Sequence, residues 1–366
     1  MIHIAKNIQE IEIKEVLIIG LFEGQDKIGE FPEYNVSLKA LLQKKLISTE
    51  LGALSYVYET FGFDKVYFLG LGKQEEYSVD KLVEALRNVT VNIGKNISLL
   101  LSSVASDLDM NDVAAQCVLQ VLYYDYKFDL GKTKKEDRLQ SLTLITEHFV
   151  DGAVQNSIHL SEAIKNTRDL VNKPYNFLNA KLLSDYAKQM SKELKDAGVS
   201  IEVLEKKEIE KLGMNAFLGV NQGSNDEPYL IHLKYQGKEE WEAPITLVGK
   251  GVMYDTGGYS LKPSMNTMKC DMGGAATVLG VFEAAVKNGL AINLSVVIAA
   301  TDNRVSGNAY LPDDIITAMN KKTIEIVSTD AEGRLTLADA LTFAQQQGSK
   351  EIIDVATLTG AVGVAL

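Results

Sequence analysis

A chain of 366 residues is longer than one hydrophobic core usually supports, so two domains are expected. Hydrophobic residues make up 46% and charged residues 23%, an ordinary globular balance, while 49 acids against 37 bases give a net charge of −12, which argues against nucleic acid as a partner. Two cysteines, Cys117 and Cys270, are too few for a disulfide framework; with no signal segment and no apolar run near the ~20 residues of a membrane span, no membrane association is expected and the cytoplasm is the default.

Residues 1–150 alternate strand-like and helix-like segments, the pattern of an α/β domain. The runs VLIIGLF (16–22), VYFLGLG (66–72) and SLLLSSV (98–104) read as strands, and 37–43 and 79–89 as helices. GLGK (70–73) lacks the remaining glycines of a dinucleotide fingerprint, and GKT (131–133) has Tyr126 where a phosphate loop needs its first glycine, so neither marks a nucleotide site. Lys132, Lys134 and Lys135 with Glu136 and Asp137 read as a solvated connection.

A boundary over 147–155 separates this N-terminal domain from a second one, 151–366. Apolar residues recur at helical spacing over 156–171 and stop short of Pro174, a helix suited to connecting domains, and Asn179 reads as the N-cap of a helix running to 194. Residues 213–235 read as the first strands of a second sheet, and the β-rich runs 245–248, 292–300, 324–327 and 352–356 as its buried strands. The expectation is an α/β domain with a mixed central sheet flanked by helices.

Three charged, glycine-rich clusters each begin where one of these strands is expected to stop: GKGVMYDTGGYSLKP (249–263), KCDMGGAA (269–276) and STDAEGRL (328–335). In open α/β sheets, ligand sites form at the carboxyl ends of strands. The clusters hold Lys250, Asp255, Lys262, Asp271, Asp330, Glu332 and Arg334. In extended chain, Asp330 and Glu332 point to one side; Gly333 then permits a turn, and Arg334 opens an apolar-periodic helix with Leu337, Leu341 and Ala344, placed to hold a small anion. Carboxylates converging in a cleft repel one another and raise each other's pKa, a conflict that multivalent cations remove. Oxygen-rich sites suit Mg, Mn or Zn, and two ions roughly 3.5–4 Å apart can share bridging carboxylates and activate a water.

Any one of these acids alone reads most simply as a helix cap or a surface ion pair; together they read as a metal site. Asp255-Thr256-Gly257 is also the DTG of aspartic proteases, but that chemistry needs a second such carboxylate, and no second D-T/S-G occurs. His3, His148, His159 and His232 all lie outside the clusters, so a serine or cysteine nucleophile has no base; His232 reads as structural, and Cys270 as a small residue packed near the site.

These blocks, with TLTGAVGVAL at 357–366, resemble the signature blocks of the leucyl aminopeptidases of the M17 metallopeptidase family, cytosolic di-metal exopeptidases. The likeness extends to NTRDLVNKPYNFLNA (166–180) and GVNQGSNDEPYLIHLKY (219–235). It implies hydrolysis of the N-terminal peptide bond of peptides by a hexameric enzyme holding two divalent ions, Mn or Zn with Mg as a further option. It assigns Lys250, Asp255, Asp271, Asp330 and Glu332 as metal ligands, Asp255 and Glu332 bridging. Lys250 would ligate as a neutral amine and so needs a pKa far below its usual value. Lys262 would stabilise the oxyanion, Arg334 would hold a bicarbonate acting as general base, and Thr357, Leu358 and Gly360 would line the substrate. Three features depart from the family pattern: a shorter 262–271 segment, Ser328 in place of the usual Asn, and an end at Leu366 where members generally run on. On that reading the catalytic domain is truncated at its C-terminus, and its apolar tail VGVAL is expected to drive association. A non-catalytic or regulatory relative that keeps the site is the alternative, and the presence of all seven charged residues weighs against it.

Overall fold

The structure, a computed structural model, describes residues 1–89 and 93–366. It divides into two compact units, Met1–Glu162 and Ala163–Leu366. The first is built on a six-stranded sheet of β1 (Ile2–Ala5), β2 (Val16–Phe22), β3 (Leu54–Thr60), β4 (Phe63–Gly72), β5 (Asn96–Leu100) and β6 (Ser141–Ile145), in the order β1-β6-β5-β2-β4-β3. All its pairings are parallel except β3 with β4. Every residue of β2 is buried, and its side chains alternate between two cores, as a period of two requires. Val16 and Ile18 pack with α2 (Val79–Leu86), α3 (Leu101–Ala105) and α4 (Met110–Asp125), whereas Leu17, Ile19 and Leu21 pack with Leu38 of α1 (Asn35–Gln43). The expected strand 98–104 is half strand and half helix: β5 ends at Leu100 and Leu101 begins α3. An unbroken apolar run is compatible with either, and period alone does not separate them. The polar stretch near residue 132 is solvated, with Lys132 2.6 Å from Glu136.

The boundary between the units falls within α5 (Asp151–Asn172). The second unit is built on a five-stranded mixed sheet of β7 (Val199–Glu205), β8 (Tyr229–Gln236), β9 (Ile245–Asp255), β10 (Asn293–Asn303) and β13 (Glu351–Val355), in the order β13-β9-β10-β8-β7. β13, β9 and β10 run parallel, and β8 and β7 are antiparallel to their neighbours. One face packs on α6 (Ala180–Glu193) and α9 (Gly273–Lys287) through Leu183, Ala275, Leu279 and Phe282. The other packs on α7 (Lys206–Leu212), α8 (Asn215–Asn221) and α10 (Glu332–Gln346) through Ile209, Phe217, Leu337 and Phe343. Asn179 is the N-cap expected of it: its Oδ1 accepts from the Leu182 N–H at 3.0 Å. Among the described residues, no helix is long and apolar enough to cross a membrane.

Four sequence expectations change. The sheet begins earlier than 213–235, with β7, and 215–221 of that stretch form α8. The run 324–327 is not a buried strand of the sheet: β12 (Thr323–Glu325) pairs only with β11 (Ile315–Thr317) in a separate two-stranded ribbon. The 352–356 run does join the sheet, as β13, but at its edge, where it pairs with β9 alone and Ile353 is 52% exposed. Finally, β9 does not stop at Val248 but continues to Asp255, so Lys250 lies inside a strand and Asp255 is its last residue.

His232 on β8 is buried, its Nε2 3.0 Å from Ser295 Oγ and its ring edge-on to Phe343. Burial depresses its pKa from 6.5 to about 4, with Lys234 adding to the effect; the exposed Glu202 carboxylate 3.8 Å from Nδ1 does not offset it. The unfolded chain takes up this proton near pH 6.5 and the folded chain only near 4, so the stability that the neutral ring contributes is complete above 6.5 and lost as pH falls through that window. Urea titrations at stepped pH should therefore show that His232→Gln flattens the acid limb of the stability curve between pH 6.5 and 4. An unchanged slope would contradict the assignment.

Candidate metal centre

The carboxyl ends of β9 and β10, the start of α9 and the start of α10 surround one cleft. Lys250 and Asp255 both come from β9 and are five residues apart, an odd spacing that in a regular strand sends side chains to opposite faces. The register of β9 against β10 shifts here: Val252 lies opposite Thr301 but Asp255 opposite Asn303, so β9 carries one extra residue. This bulge resets the parity and aims both side chains into the cleft.

Two glycines then turn the chain, Gly257 (φ 84°) and Gly258 (φ 61°) adopting the left-handed conformation that side-chain-bearing residues avoid. The loop they shape is tied to the turn before α10. Thr329 Oγ1 donates to the Gly257 carbonyl at 2.6 Å and accepts from the Ser260 N–H at 2.7 Å, while Ser260 Oγ accepts from the Thr329 N–H at 3.1 Å. Lys262 at the end of the loop thereby meets Asp330 in the turn. Asp330 and Glu332 do share one neighbourhood, but not through extended chain: Asp330 lies in a turn, and Glu332 is already the first residue of α10.

The ion pairs fall into two groups. Lys250 Nζ lies 2.8 Å from Asp271 Oδ1 and 2.9 Å from Glu332 Oε1, and donates to the Thr357 carbonyl at 2.8 Å. Lys262 Nζ lies 2.7 Å from Asp255 Oδ2 and 2.5 Å from Asp330 Oδ1. One ligand oxygen from each of Asp255, Asp330 and Glu332 lies within 4.8 Å of the others. Thr357 Oγ1 adds a hydrogen bond of 2.9 Å to Asp271 Oδ1. Four carboxylates thus face two ammonium groups, and two negative charges stay unbalanced in a cleft where Asp255, Asp271 and Glu332 are buried. Asp271 Oδ2 and Glu332 Oε2 are buried with no hydrogen-bond partner among the described residues.

The acidities follow from this imbalance. Burial pushes the Asp271 carboxyl up to about 7 despite the Lys250 ammonium beside it, and burial with the nearby Asp255 raises Glu332. Burial pulls the Lys250 ammonium down, but Glu332 and Asp271 more than offset it and its pKa is raised. The protein's own groups therefore favour a charged Lys250 and do not supply the depression that a neutral amine ligand needs. Lys262 behaves alike, its hydrogen bonds to Asp255 and Asp330 outweighing burial. The donor set fits divalent ions: hard carboxylate oxygens, two of them with unused lone pairs, and excess negative charge.

Of the remaining candidates, Thr357 touches the centre, whereas Arg334, Leu358 and Gly360 are exposed, and among the described residues none of them pairs with these acids. Sequence reasoning missed Asn303, Tyr310 and Thr329, which hold the loops; the only signal was their position beside a strand end or a cluster.

A model of the catalytic domain of the cytosol aminopeptidase family, M17, matches residues 165–366, and a model of the same family's N-terminal domain matches residues 18–135. The chain belongs to the M17 family. As an M17 protein it is a metallo-aminopeptidase of a dimetal-dependent family. Two solved structures of the bottromycin maturation enzyme BotP, one in complex with Mn, are similar to this M17 chain at 27% identity and a TM-score of 0.83, covering 96% of this chain and 74% of that one.

Two glycines admit the helices to this M17 centre. A Cβ on Gly274, in the first turn of α9, would fall 2.0 Å from the Val355 carbonyl, and one on Gly333, in the first turn of α10, 2.5 Å from Lys250 Cε. Gly333→Ala puts a better helix former at a helical position, worth up to about 1 kcal/mol in favour of the helix. The expected outcome is a thermal midpoint close to that of the parent chain with Lys250 displaced and peptidase activity reduced. Full activity in the variant would show that Lys250 need not sit where it does.

Proposed function

We propose that this chain is a two-metal aminopeptidase that removes N-terminal residues, leucine-like ones by preference, from peptides in the cytoplasm, working as a homo-oligomer. The observation that carries the reading is the buried surplus of carboxylate over ammonium, with Asp271 Oδ2 and Glu332 Oε2 unpartnered. Divalent ions bound there would acidify a water and polarise the scissile carbonyl. Asp255 and Glu332 would be shared between the two ions, Asp330 completing one site and Lys250 with Asp271 the other. Mn or Zn is proposed, Mg being a further option; the Mn in BotP favours Mn.

The chain's own residues supply the rest. Lys262 stays cationic because Asp255 and Asp330 hold its pKa up, which suits it to neutralise the oxyanion that develops at the attacked carbonyl. Asp271 at the Lys250 end of the cleft favours a positively charged or amine-bearing group, which fits a substrate entering by its free α-amine. Arg334, exposed in the first turn of α10, would hold a bicarbonate that takes up the proton of the attacking water. The backbone of Thr357, Leu358 and Gly360 would line the substrate. The family likeness to leucyl aminopeptidases supports the leucine preference, and the two free cysteines suit a reducing compartment.

Release of p-nitroaniline from Leu-p-nitroanilide should vanish on chelation and return with Mn or Zn. Lys262→Ala should lower kcat by roughly 10²–10³ with metal content retained, since it removes transition-state charge stabilisation and no ligand. Lys250→Ala should instead lower the metal content. Full activity after verified metal removal, or equal metal loss in both variants, would overturn the division of roles.

A further inference from the structure

We propose that Asn303 is a positioning residue of the metal centre, fixing which oxygen of Asp255 is left for a cation. The inference rests on the two-metal reading above. Asn303 is the last residue of β10 and is fully buried. Its Nδ2 donates to Asp255 Oδ1 at 2.9 Å and to the Thr329 carbonyl at 3.0 Å. Its own carbonyl accepts from the Thr256 N–H at 3.1 Å and from Thr256 Oγ1 at 2.9 Å. One side chain thus joins the carboxylate at the end of β9 to the backbone just before Asp330.

The orientation of the amide is determined by its neighbours. Both groups within reach of Nδ2 are acceptors, a carboxylate oxygen and a carbonyl, so the flipped amide would set oxygen against oxygen at two places. Asn303 Oδ1 correspondingly faces no donor among the described residues. Asp255 Oδ1 also accepts from the Gly257 N–H at 2.9 Å, so this oxygen carries two N–H donors and is committed to the protein. Asp255 Oδ2 is the oxygen turned toward Lys262, and with it toward Asp330. A carboxylate held by one oxygen presents the other at a fixed angle, and groups that orient a metal ligand in this way govern affinity without touching the ion.

A purely structural role is separable, because Tyr310 is also buried and also donates to the Thr329 carbonyl, at 2.8 Å, but its hydroxyl makes no hydrogen bond to Asp255. If Asn303 merely secures the loop, loss of the Tyr310 hydroxyl should matter as much. The experiment strips the full chain of metal and titrates Mn against a chromophoric chelator in the parent, Asn303→Ala, Asn303→Ser and Tyr310→Phe, with urea unfolding of each stripped protein as the control for folding. Expected is a dissociation constant weaker by about 10- to 100-fold in Asn303→Ala, with Tyr310→Phe within about threefold of the parent. Asn303→Ser, which retains one short donor, should fall between them and takes the place of Asn303→Ala if that variant does not fold. Parent-like binding in the Asn303 variants, or an equal loss in Tyr310→Phe, overturns the proposal. A parent chain that binds no Mn or Zn would instead overturn the two-metal reading itself.

Discussion

The centre of this structure is an unbalanced electrostatic sum. Asp255, Asp271, Asp330 and Glu332 meet Lys250 and Lys262 in one cleft, and Lys250, Asp255, Asp271 and Glu332 are buried there, where each uncompensated charge costs several kcal/mol. The raised pKa values of Asp271 and Glu332 are the direct expression of that cost. Stability alone gives no reason to bury such a set, since an apolar core of equal volume would serve better. Cations of charge two would resolve the imbalance, with the carboxylates as their ligands.

Everything around the cleft answers to the demand that these side chains converge. The extra residue in β9 lets Lys250 and Asp255 share a side. Gly274 and Gly333 let the first turns of α9 and α10 come against the backbone and Lys250. The Thr329 and Ser260 hydroxyls then lock the Gly257–Gly258 loop to the turn that carries Asp330. Behind them the two central strands, β9 and β10, are buried along nearly their whole length, which makes the platform stiff enough to hold carboxylates together against their repulsion.

Much of this was legible in the sequence, for identifiable reasons. VLIIGLF is strand β2 to the residue because a buried parallel strand writes itself as an unbroken apolar run. The charged clusters stood out because acids packed among glycines beside apolar strands have few structural explanations. Where sequence failed, the missing information was three-dimensional. Gly249-Lys250-Gly251 interrupts the apolar run and hides the continuation of β9 through Lys250 to Asp255, and the bulge that ends it depends on the partner strand. The run 324–327 has the composition of a core strand but pairs only within a hairpin. Asn303 follows a strand like many other residues, and nothing in its surroundings in sequence announces that its amide reaches Asp255.

The most direct test of the two-metal account is anomalous diffraction from crystals of the full chain loaded with Mn. The account predicts two strong peaks, both in the cleft and both beside Asp255 and Glu332, one on the Asp330 side and the other on the side of Lys250 and Asp271. No peak there, or ions bound only elsewhere on the molecule, would contradict it.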